Sequence, residues 1–524
     1  MFLIMSGAYV GTELQSEFGQ IPPSFLPLGN RRLFQHQIAL IPEGINKYLS
    51  IPESFKLSEH DQLWLNEYNV SIVTVPDGLN LGASLVAAVN ISGHSLDSPL
   101  HVLYGDTLFS KLPSGDDIAS VSEATDSYNW AMLSGDKANW LKSSHLTGGD
   151  NKIIDGYFKF SRPREILRCI TQSEWDFIEG LNRYHHSVGI TPVESIGWLD
   201  FGHVNTYYRS KAKHTTQRAF NELTINSRWI EKASLKNDKI AAEANWFATL
   251  PEELRGYTPQ YLGSQVSDKV SYRLEYLHLT ALNELFVFSK VSPPVWKNIL
   301  QGCIDFLKDC SRFTNTNHEP VNTLDMLFGD KTEERLNQYC NEELIELNSE
   351  WFFNGQAITL QQILDKSCEY LPLSQRREAV LHGDFCFSNI LYDFRAGKVK
   401  TIDPRGMTPE GLKTIYGDIN YDLAKLSHSV LGLYDWIIAG YYKVCIQDNY
   451  IQLDIAEDSQ HQEIQQIFIE LVEKNFELSS KNLFAMQIQL FLSMLPLHSD
   501  DKERQKALFA NSFRLYQILL RLEK

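Results

Sequence analysis

The sequence predicts an α/β protein in two parts: a first stretch of alternating strands and helices, then a smaller sheet leading into a long helical lobe. Three observations carry this. Short apolar runs alternate with helical patterns up to about residue 210, as in a sheet covered by helices. From Val295 onward helical patterns dominate. The chain has 524 residues, and at about 100–200 residues per domain this predicts two to four folding units.

In the first part, Phe2–Met5 reads as a buried strand followed by a loop holding Gly7 and Gly11. The apolar start is short and has no basic region before it, so it predicts a first strand and not a signal peptide. Val70–Val75 is a strand, Gly82–Asn90 a helix of small residues, and Leu100–Tyr104 a strand that stops at Gly105-Asp106. Interleaved strands and helices predict a parallel sheet, with chemistry gathered past the C-terminal strand ends, where Asp106 stands.

In the second part, Glu222–Ile225, Trp229–Ala233 and Ser271–Tyr276 read as strands, and Lys239–Thr249 as a helix. Helices are expected over Val295–Cys310, Thr332–Asn348, Thr359–Tyr370, Asp422–Tyr442 and Ile464–Glu477, interrupted only by a strand-loop-strand piece, Asn389–Ile402. No internal repeat or low-complexity linker separates the parts.

Composition excludes several classes. With 43% hydrophobic residues, 12% aromatic residues and ten Trp, the chain is not disordered. A net charge of −17 argues against nucleic acid as partner. Seven cysteines, an odd number with no C-x-x-C pair, predict reduced thiols in a cytoplasmic protein and neither a disulfide frame nor a zinc site. No stretch approaches 18 unbroken apolar residues, so no membrane span is expected.

The densest chemistry lies in Ala379-Val-Leu-His-Gly-Asp-Phe-Cys-Phe-Ser-Asn-Ile-Leu-Tyr392. Asp384 and Asn389 are five apart, and Asp403 follows Asn389 by fourteen. Phosphoryl transfer asks a protein for a carboxylate that orients the attacking hydroxyl, oxygen ligands for Mg²⁺ and a cation on the phosphates. Asp384 suits the first task, and Asn389 with Asp403 the second. Lys232 ends a strand, with Glu243 eleven residues on in a helix; a lysine fixed by a glutamate is a positioned charge for the α/β-phosphates. Cys386 reads as a packed small residue.

These residues resemble the aminoglycoside phosphotransferase and choline kinase family, whose catalytic loop H-G-D-x-x-x-x-N matches His382-Gly-Asp384 to Asn389 and whose metal motif begins Ile-Asp, here Ile402-Asp403. Gly417-Asp-Ile-Asn-Tyr-Asp-Leu-Ala424 fits the family's later G-D-x-x-x-D-L-A. The resemblance implies a bilobal α+β protein-kinase-like domain, with an N-lobe at residues 213–290 and a helical C-lobe at 291–524. It implies Asp384 as catalytic residue, Lys232 and Glu243 as the ATP-binding pair, and Asn389 and Asp403 as Mg²⁺ ligands. Arg405 departs from the common forms. The acceptor is expected in the helical lobe, where Trp351, Phe352, Phe353 and Trp436 read as core.

The first part resembles the sugar-phosphate nucleotidyltransferases. Ser6-Gly-Ala-Tyr-Val-Gly-Thr-Glu-Leu14 stands where that family has its glycine loop, Gly105-Asp106 where it has a metal Asp, and Trp198-Leu-Asp-Phe-Gly202 where it has the second. Asp155-Gly-Tyr-Phe-Lys-Phe160 looks like its sugar-binding strand. The resemblance implies a Rossmann-like nucleotidyltransferase domain at residues 1–212, Asp106 and Asp200 as metal ligands, and Gly7, Gly11, Thr12 and Gly82 as nucleotide contacts. The family's loop Arg is Glu13 here and its Lys is Pro23, and a carboxylate repels a triphosphate. Arg31 and Arg32 are the nearest basic residues that would substitute. His101 and His203 read as packed or solvent residues.

Together the parts imply a bifunctional enzyme: a kinase for a sugar, polyol or amino alcohol, and a nucleotidyltransferase that activates the product for cell-surface polysaccharide synthesis. ATP is the phosphate donor, CTP or another NTP serves the first part, Mg²⁺ is the cofactor, and the partners are small molecules and nucleotides. The alternative is a kinase whose first part only binds a ligand or partner.

Overall fold

Phe2–Met5 (β1) is four apolar residues, all buried, and it lies in the middle of the first sheet. The computed structural model describes the chain except residues 124–127, 129, 134–139, 145–151, 219–222, 227, 235–236, 267–268, 317–320, 456–458 and 524, so Glu222 of the expected strand lies outside the described residues. The chain forms two compact units, Met1–Lys211 with Phe288–Lys290, and Ala212–Val287 with Val291–Lys524.

In the first unit, β1 runs parallel to Lys47–Pro52 (β2), which runs parallel to Val70–Val75 (β3). On its other side β1 runs parallel to Leu100–Tyr104 (β4). Thr107–Leu108 (β5) leaves the main sheet, while Ile118–Glu123 (β6), Trp130–Leu133 (β7), Leu141–Ser144 (β8), Lys152–Phe160 (β9) and Thr191–Glu194 (β10) extend it. The sheet is mixed where a parallel one was expected, because β9 runs antiparallel to both β4 and β6. Parallel pairing needs a crossover, usually a helix, and among the described residues none separates β6 from β9.

Helix α1 (Thr12–Phe18) follows β1, and α2 (Leu81–Ile91) follows β3. Leu3, Met5, Val73, Leu85, Phe158, Phe160, Ile166 and Leu181 join one buried cluster that seals helices onto this sheet. Two glycines are fixed by close approach. A Cβ on Gly7 would lie 2.5 Å from Val75 Cγ2, and one on Gly82 would lie 2.2 Å from Trp175 O. Leu199–Asp200 (β11) pairs antiparallel with β5 and places Asp200 opposite Thr107. Helix α3 (Val204–Arg218) follows.

The second unit opens with a four-stranded antiparallel sheet in the order Leu223–Ile225 (β12), Trp229–Ser234 (β13), Val270–Glu275 (β15), Tyr261–Val266 (β14). Lys232 on β13 faces Tyr272 on β15. Helix α4 (Asn237–Thr249) buries Ile240, Ala242, Ala244, Trp246 and Phe247. Trp246 Nε1 donates to Leu381 O at 2.8 Å, just before the His382-Gly-Asp384 segment. Gly406, at φ 66°, approaches so near that a Cβ there would lie 2.3 Å from Ala242 O.

The helical part contains α5 (Pro293–Cys310), α6 (Asp330–Glu343) and α7 (Ile419–Val430). Three expectations need correction. The Thr332–Asn348 helix stops at Glu343, where Leu344 turns left-handed (φ 57°) and its N–H caps Cys340 O. The Asp422–Tyr442 helix breaks after Val430, because Leu433 is left-handed (φ 55°) and Gly432 is pressed against Phe491 and Gln487. Finally, Trp351–Phe353, Gln356–Ile358, Lys443–Gln447 and Tyr450–Asp454 build a four-stranded sheet, where Asn389–Ile402 alone was expected to interrupt the helices. Its hairpin turns at Asn354-Gly355 and at Asp448-Asn449, all with positive φ, a turn chemistry that short hairpins favour.

Of the aromatic residues read as core, Trp351, Phe353 and Trp436 are buried, while Phe352 is only half-buried and stacks on the exposed Tyr450. Trp351 meets Phe509, and Trp436 meets Phe286 and His461. All seven cysteines are free. Among the described residues no helix is long and apolar enough to cross a membrane.

Candidate active site

In the second unit, sheet and helix bring the first charged pair together. Lys232 Nζ lies 2.8 Å from Glu243 Oε2, whose carboxylate is buried and also accepts from Tyr272 OH at 2.8 Å. The same ammonium lies 3.0 Å from Asp403 Oδ1, 171 residues further along. Burial disfavours a charged Lys232, but Asp403 and Glu243 outweigh it and move its pKa upward, so it stays an ammonium.

The catalytic-loop candidates are organised from behind by the second Asp of the G-D-x-x-x-D-L-A motif, to which the sequence reading gave no role. Asp422, buried on α7, accepts from the N–H groups of His382 (2.7 Å) and Gly383 (2.8 Å). Burial pushes its carboxyl up to about 7 against those two bonds. His382 Nε2 donates to Ile402 O at 2.9 Å, and burial holds its imidazole down at about 4, hence neutral. Asn389 Nδ2 donates to Asp384 O (2.9 Å) and Asp384 Oδ2 (3.0 Å). Ile402 N donates to Asn389 O at 2.9 Å, tying the loop to the strand that leads to Asp403. Asp403 itself is left-handed, φ 56°.

Lys425 was also missed. It stands one turn after Asp422 on α7, and its Nζ is 2.9 Å from Asp384 Oδ1. Burial favours the protonated carboxyl of Asp384, yet Lys425 and Arg405 hold it well below the usual carboxylate range. Asp384 is therefore held as an anion. Arg405, unassigned from the motif, stacks over Tyr421 (5.3 Å to the ring centre) and bonds its hydroxyl at 3.3 Å. Cys386 is buried, and burial pushes its thiol up to about 12, so it is not a nucleophile.

In the first unit the β5–β11 ladder brings Asp106 and Asp200 to one spot. A Cβ on Gly202 would lie 2.7 Å from Asp106 Oδ2 and 3.3 Å from Asp200 Oδ1, so glycine is what lets both carboxylates converge. Asp200 Oδ2 is buried without a hydrogen-bond partner among the described residues. Burial first, then Asp200, pushes Asp106 up to about 6. His203, read from sequence as a bystander, is beside the pair: its Nδ1 is 3.8 Å from Asp200 Oδ2, and Tyr128 stacks on its ring at 3.7 Å.

Among the other nucleotide candidates, Gly11 caps α1 and Thr12 opens it, both exposed together with Glu13. Gly7 and Gly82 are accounted for by the close packing described above. Arg32 is not available to a triphosphate. It is buried, 3.3 Å from Asp61 Oδ2, and donates to Phe25 O. Arg31 is exposed.

Among the described residues no three His, Cys, Asp or Glu side chains are grouped to hold a metal. The donors present are all oxygen, Asn389 with Asp403 and Asp106 with Asp200. That suits Mg²⁺, which is commonly bound by one or two carboxylates plus substrate phosphates. The orphaned Asp200 Oδ2 fits the same role.

A pH test follows. With a raised carboxyl pKa, the folded state binds a proton that the unfolded state has released, so stability falls as pH rises from the usual Asp range through about 6. His203, moved upward by Asp200, adds to the loss in the same direction. Without metal, the melting temperature of the first unit should decline through this window. Mg²⁺ should restore it increasingly toward neutral pH, and Asp106→Asn should abolish that gain. A metal effect unchanged in Asp106→Asn would remove Asp106 from the ligands.

No protein-family model matches the chain, and no curated protein matches it. Solved structures are similar to it in two groups. The nucleoside-diphosphate-sugar pyrophosphorylase from Vibrio cholerae RC9 is 11% identical over 40% of this chain and 99% of its own, TM-score 0.34. The inositol-1-phosphate CTP transferase from T. maritima is 14% identical over 42% and 97%, TM-score 0.32. Over larger shares of the chain, aminoglycoside-3'-phosphotransferase of type VIII is 13% identical (54% and 97%, TM-score 0.31) and Plasmodium vivax ethanolamine kinase is 12% identical (60% and 89%, TM-score 0.32). The structure is mixed α/β, with nucleotidyltransferase-like and protein-kinase-like neighbours.

Proposed function

We propose that the second unit is an ATP-dependent kinase for the hydroxyl of a small molecule, and that the first is a nucleotidyltransferase. The chain would phosphorylate a sugar, polyol or amino alcohol and activate it as a nucleotide conjugate for cell-surface polysaccharide synthesis. The observation that carries the kinase reading is Lys232, held between Glu243 and Asp403 in the unit where Asn389 bonds Asp384. On this reading residues 1–212 are the nucleotidyltransferase, 213–290 the small lobe and 291–524 the helical lobe of a cytoplasmic enzyme.

Lys232 places its charge on the α/β-phosphates of ATP. Asp384 accepts the hydrogen bond of the acceptor hydroxyl and aims its oxygen at the γ-phosphorus. That oxygen forms the new P–O bond, the bridging β–γ bond breaks, ADP leaves, and the hydroxyl proton passes through Asp384 to solvent. Asn389 and Asp403 would hold Mg²⁺, which when bound offsets phosphate charge. In the first unit, Asp106 and Asp200 would hold Mg²⁺ while a phosphate oxygen attacks the α-phosphorus of an NTP and pyrophosphate departs.

The test is a coupled assay with ATP, CTP or UTP, Mg²⁺ and a broad acceptor panel. Absence of phosphate transfer to every acceptor refutes the kinase. A second reading, a first unit that only binds a ligand or partner, is favoured by Glu13 exposed in the first turn of α1 and Arg32 locked onto Asp61. Pyrophosphate release by an Asp384→Asn protein given phosphorylated acceptors, lost on adding Asp106→Ala, refutes that second reading.

A further inference from the structure

Phosphoryl transfer spreads charge over the oxygens of the moving γ-group, and a cation placed there stabilises its transition state. Lys232, assigned to the α/β-phosphates, leaves that place unfilled. The loop from Gly383 to Asn389 reads Gly-Asp-Phe-Cys-Phe-Ser-Asn and carries no Lys or Arg. Arg405 packs its stem on Gly383, where a Cβ would lie 2.7 Å from Arg405 Cβ. Its guanidinium, however, is turned onto the ring and hydroxyl of Tyr421. Among the described residues Lys425 is the one cation in ion-pair contact with Asp384.

Lys425 comes from α7, and α7 already fixes the loop with two other side chains. Asp422 accepts from the N–H groups of His382 and Gly383, and Ser429, two turns further on, accepts from Phe387 N at 3.1 Å. Asn389 holds the Asp384 carboxylate by its other oxygen, Oδ2. The loop therefore keeps its shape without Lys425, and a lysine on a flexible four-carbon stem is a poor positioning device. An ammonium has three N–H donors. Beyond Asp384 Oδ1, Lys425 has no hydrogen-bond or ion-pair partner among the described residues. Its side chain is 15% exposed and that of Asp384 40%, so the cation is shielded from water while the carboxylate stays within reach of a substrate. Burial disfavours the ammonium, but Asp384 and then Tyr421 outweigh burial and move its pKa upward.

Resting on the kinase reading, we propose that Lys425 is a catalytic residue whose ammonium binds the γ-phosphoryl group as it moves. A hydroxyl bonded to Asp384 has its oxygen about 2.5–2.7 Å from the carboxylate. The phosphorus it attacks lies about 3–3.5 Å beyond that oxygen. Lys425 Nζ, 2.9 Å from the same carboxylate, borders this path. The acceptor oxygen bonds to the γ-phosphorus, the bridging β–γ bond breaks, ADP keeps its electron pair, and the hydroxyl proton passes through Asp384 to solvent. Lys425 gives up no proton; it offsets the charge on the γ-oxygens throughout.

The experiment titrates the full chain with ADP and Mg²⁺ in a calorimeter, with and without aluminium fluoride, an anion that mimics the phosphoryl group in transfer. The parent should bind ADP, and bind it more tightly with the fluoride, as a transition-state mimic does. Lys425→Met should keep ADP affinity within about twofold and lose most of the fluoride-dependent gain. Retained ADP binding shows that the variant is folded. Asp384→Asn provides a second background, in which Lys425 has no carboxylate to pair with. There the gain should persist, and adding Lys425→Met should remove it. This double variant leaves no unpaired charge at the pair, so its fold is not at risk from that source.

An equal gain in the parent and in Lys425→Met overturns the proposal. So does a loss of ADP affinity that runs parallel to the loss of the gain, which makes Lys425 structural. A gain that vanishes in Asp384→Asn while Lys425 is in place makes the lysine only a partner of that carboxylate, and also overturns it. So does a parent that binds ADP and gains nothing from the fluoride. A parent that fails to bind ADP at all removes the kinase reading instead, a result distinct from each of these.

Discussion

Asp384→Asn should bind ATP as the parent does and lose about 10²–10⁴-fold in phosphate transfer, the range for removing a positioned acid-base group. The carboxylate is held ionised by Lys425 at 2.9 Å, so on the proposed reading it would serve as a fixed acceptor for the substrate hydroxyl at any physiological pH. An asparagine keeps the shape but turns one acceptor atom into a donor. Asn389, which already donates to Asp384 Oδ2, then risks facing another N–H group. The loss should fall on kcat, since ATP is gripped elsewhere, and the rate should stay flat from about pH 6 to 9. Single-turnover measurement with saturating ATP checks it. A variant within tenfold of the parent would remove Asp384 from the chemistry.

Lys232→Met should cost about 10²–10³ in kcat/KM for ATP, the scale of one preorganised electrostatic contact, and should also weaken the fold. Glu243 is 1% exposed and would keep only Tyr272 OH and the more distant Lys239 at 3.8 Å. Breaking a buried pair from one side typically costs about 3–5 kcal/mol, so the second unit should melt earlier. Lys232→Met with Glu243→Gln should recover most of the stability and none of the activity. Recovery of both would mean that Lys232 is structural.

The kinase motifs were legible because their chemistry is local. His382-Gly-Asp384 and Asn389 lie on one short loop, and Lys232 and Glu243 on a strand and the next helix. Which partners meet across the chain was not legible. Lys425 reads as one more polar position of a helix until folding aims it at Asp384, and Asp422 matched a motif without revealing that it accepts the loop's N–H groups. His203 was discounted because a single histidine carries no pattern; it follows Asp200 by three residues, and the β5–β11 ladder is what brings that pair to Asp106. The reversed direction of β9 is likewise set by how segments connect, not by their own composition. The Asn354-Gly355 pair did signal the missed hairpin, but its strands are only three residues each, too short for alternation to show.

Gly406 and Trp246 bear on control. Many kinases are switched by moving the helix that carries the glutamate partner of the phosphate-binding lysine. Here α4 is pressed backbone to backbone against Gly406 and tethered through Trp246 to Leu381. Swinging it outward would open a void beneath a large buried indole and strand the carbonyl of Leu381. On the kinase reading proposed above, this helix would resist the outward swing by which such enzymes are switched.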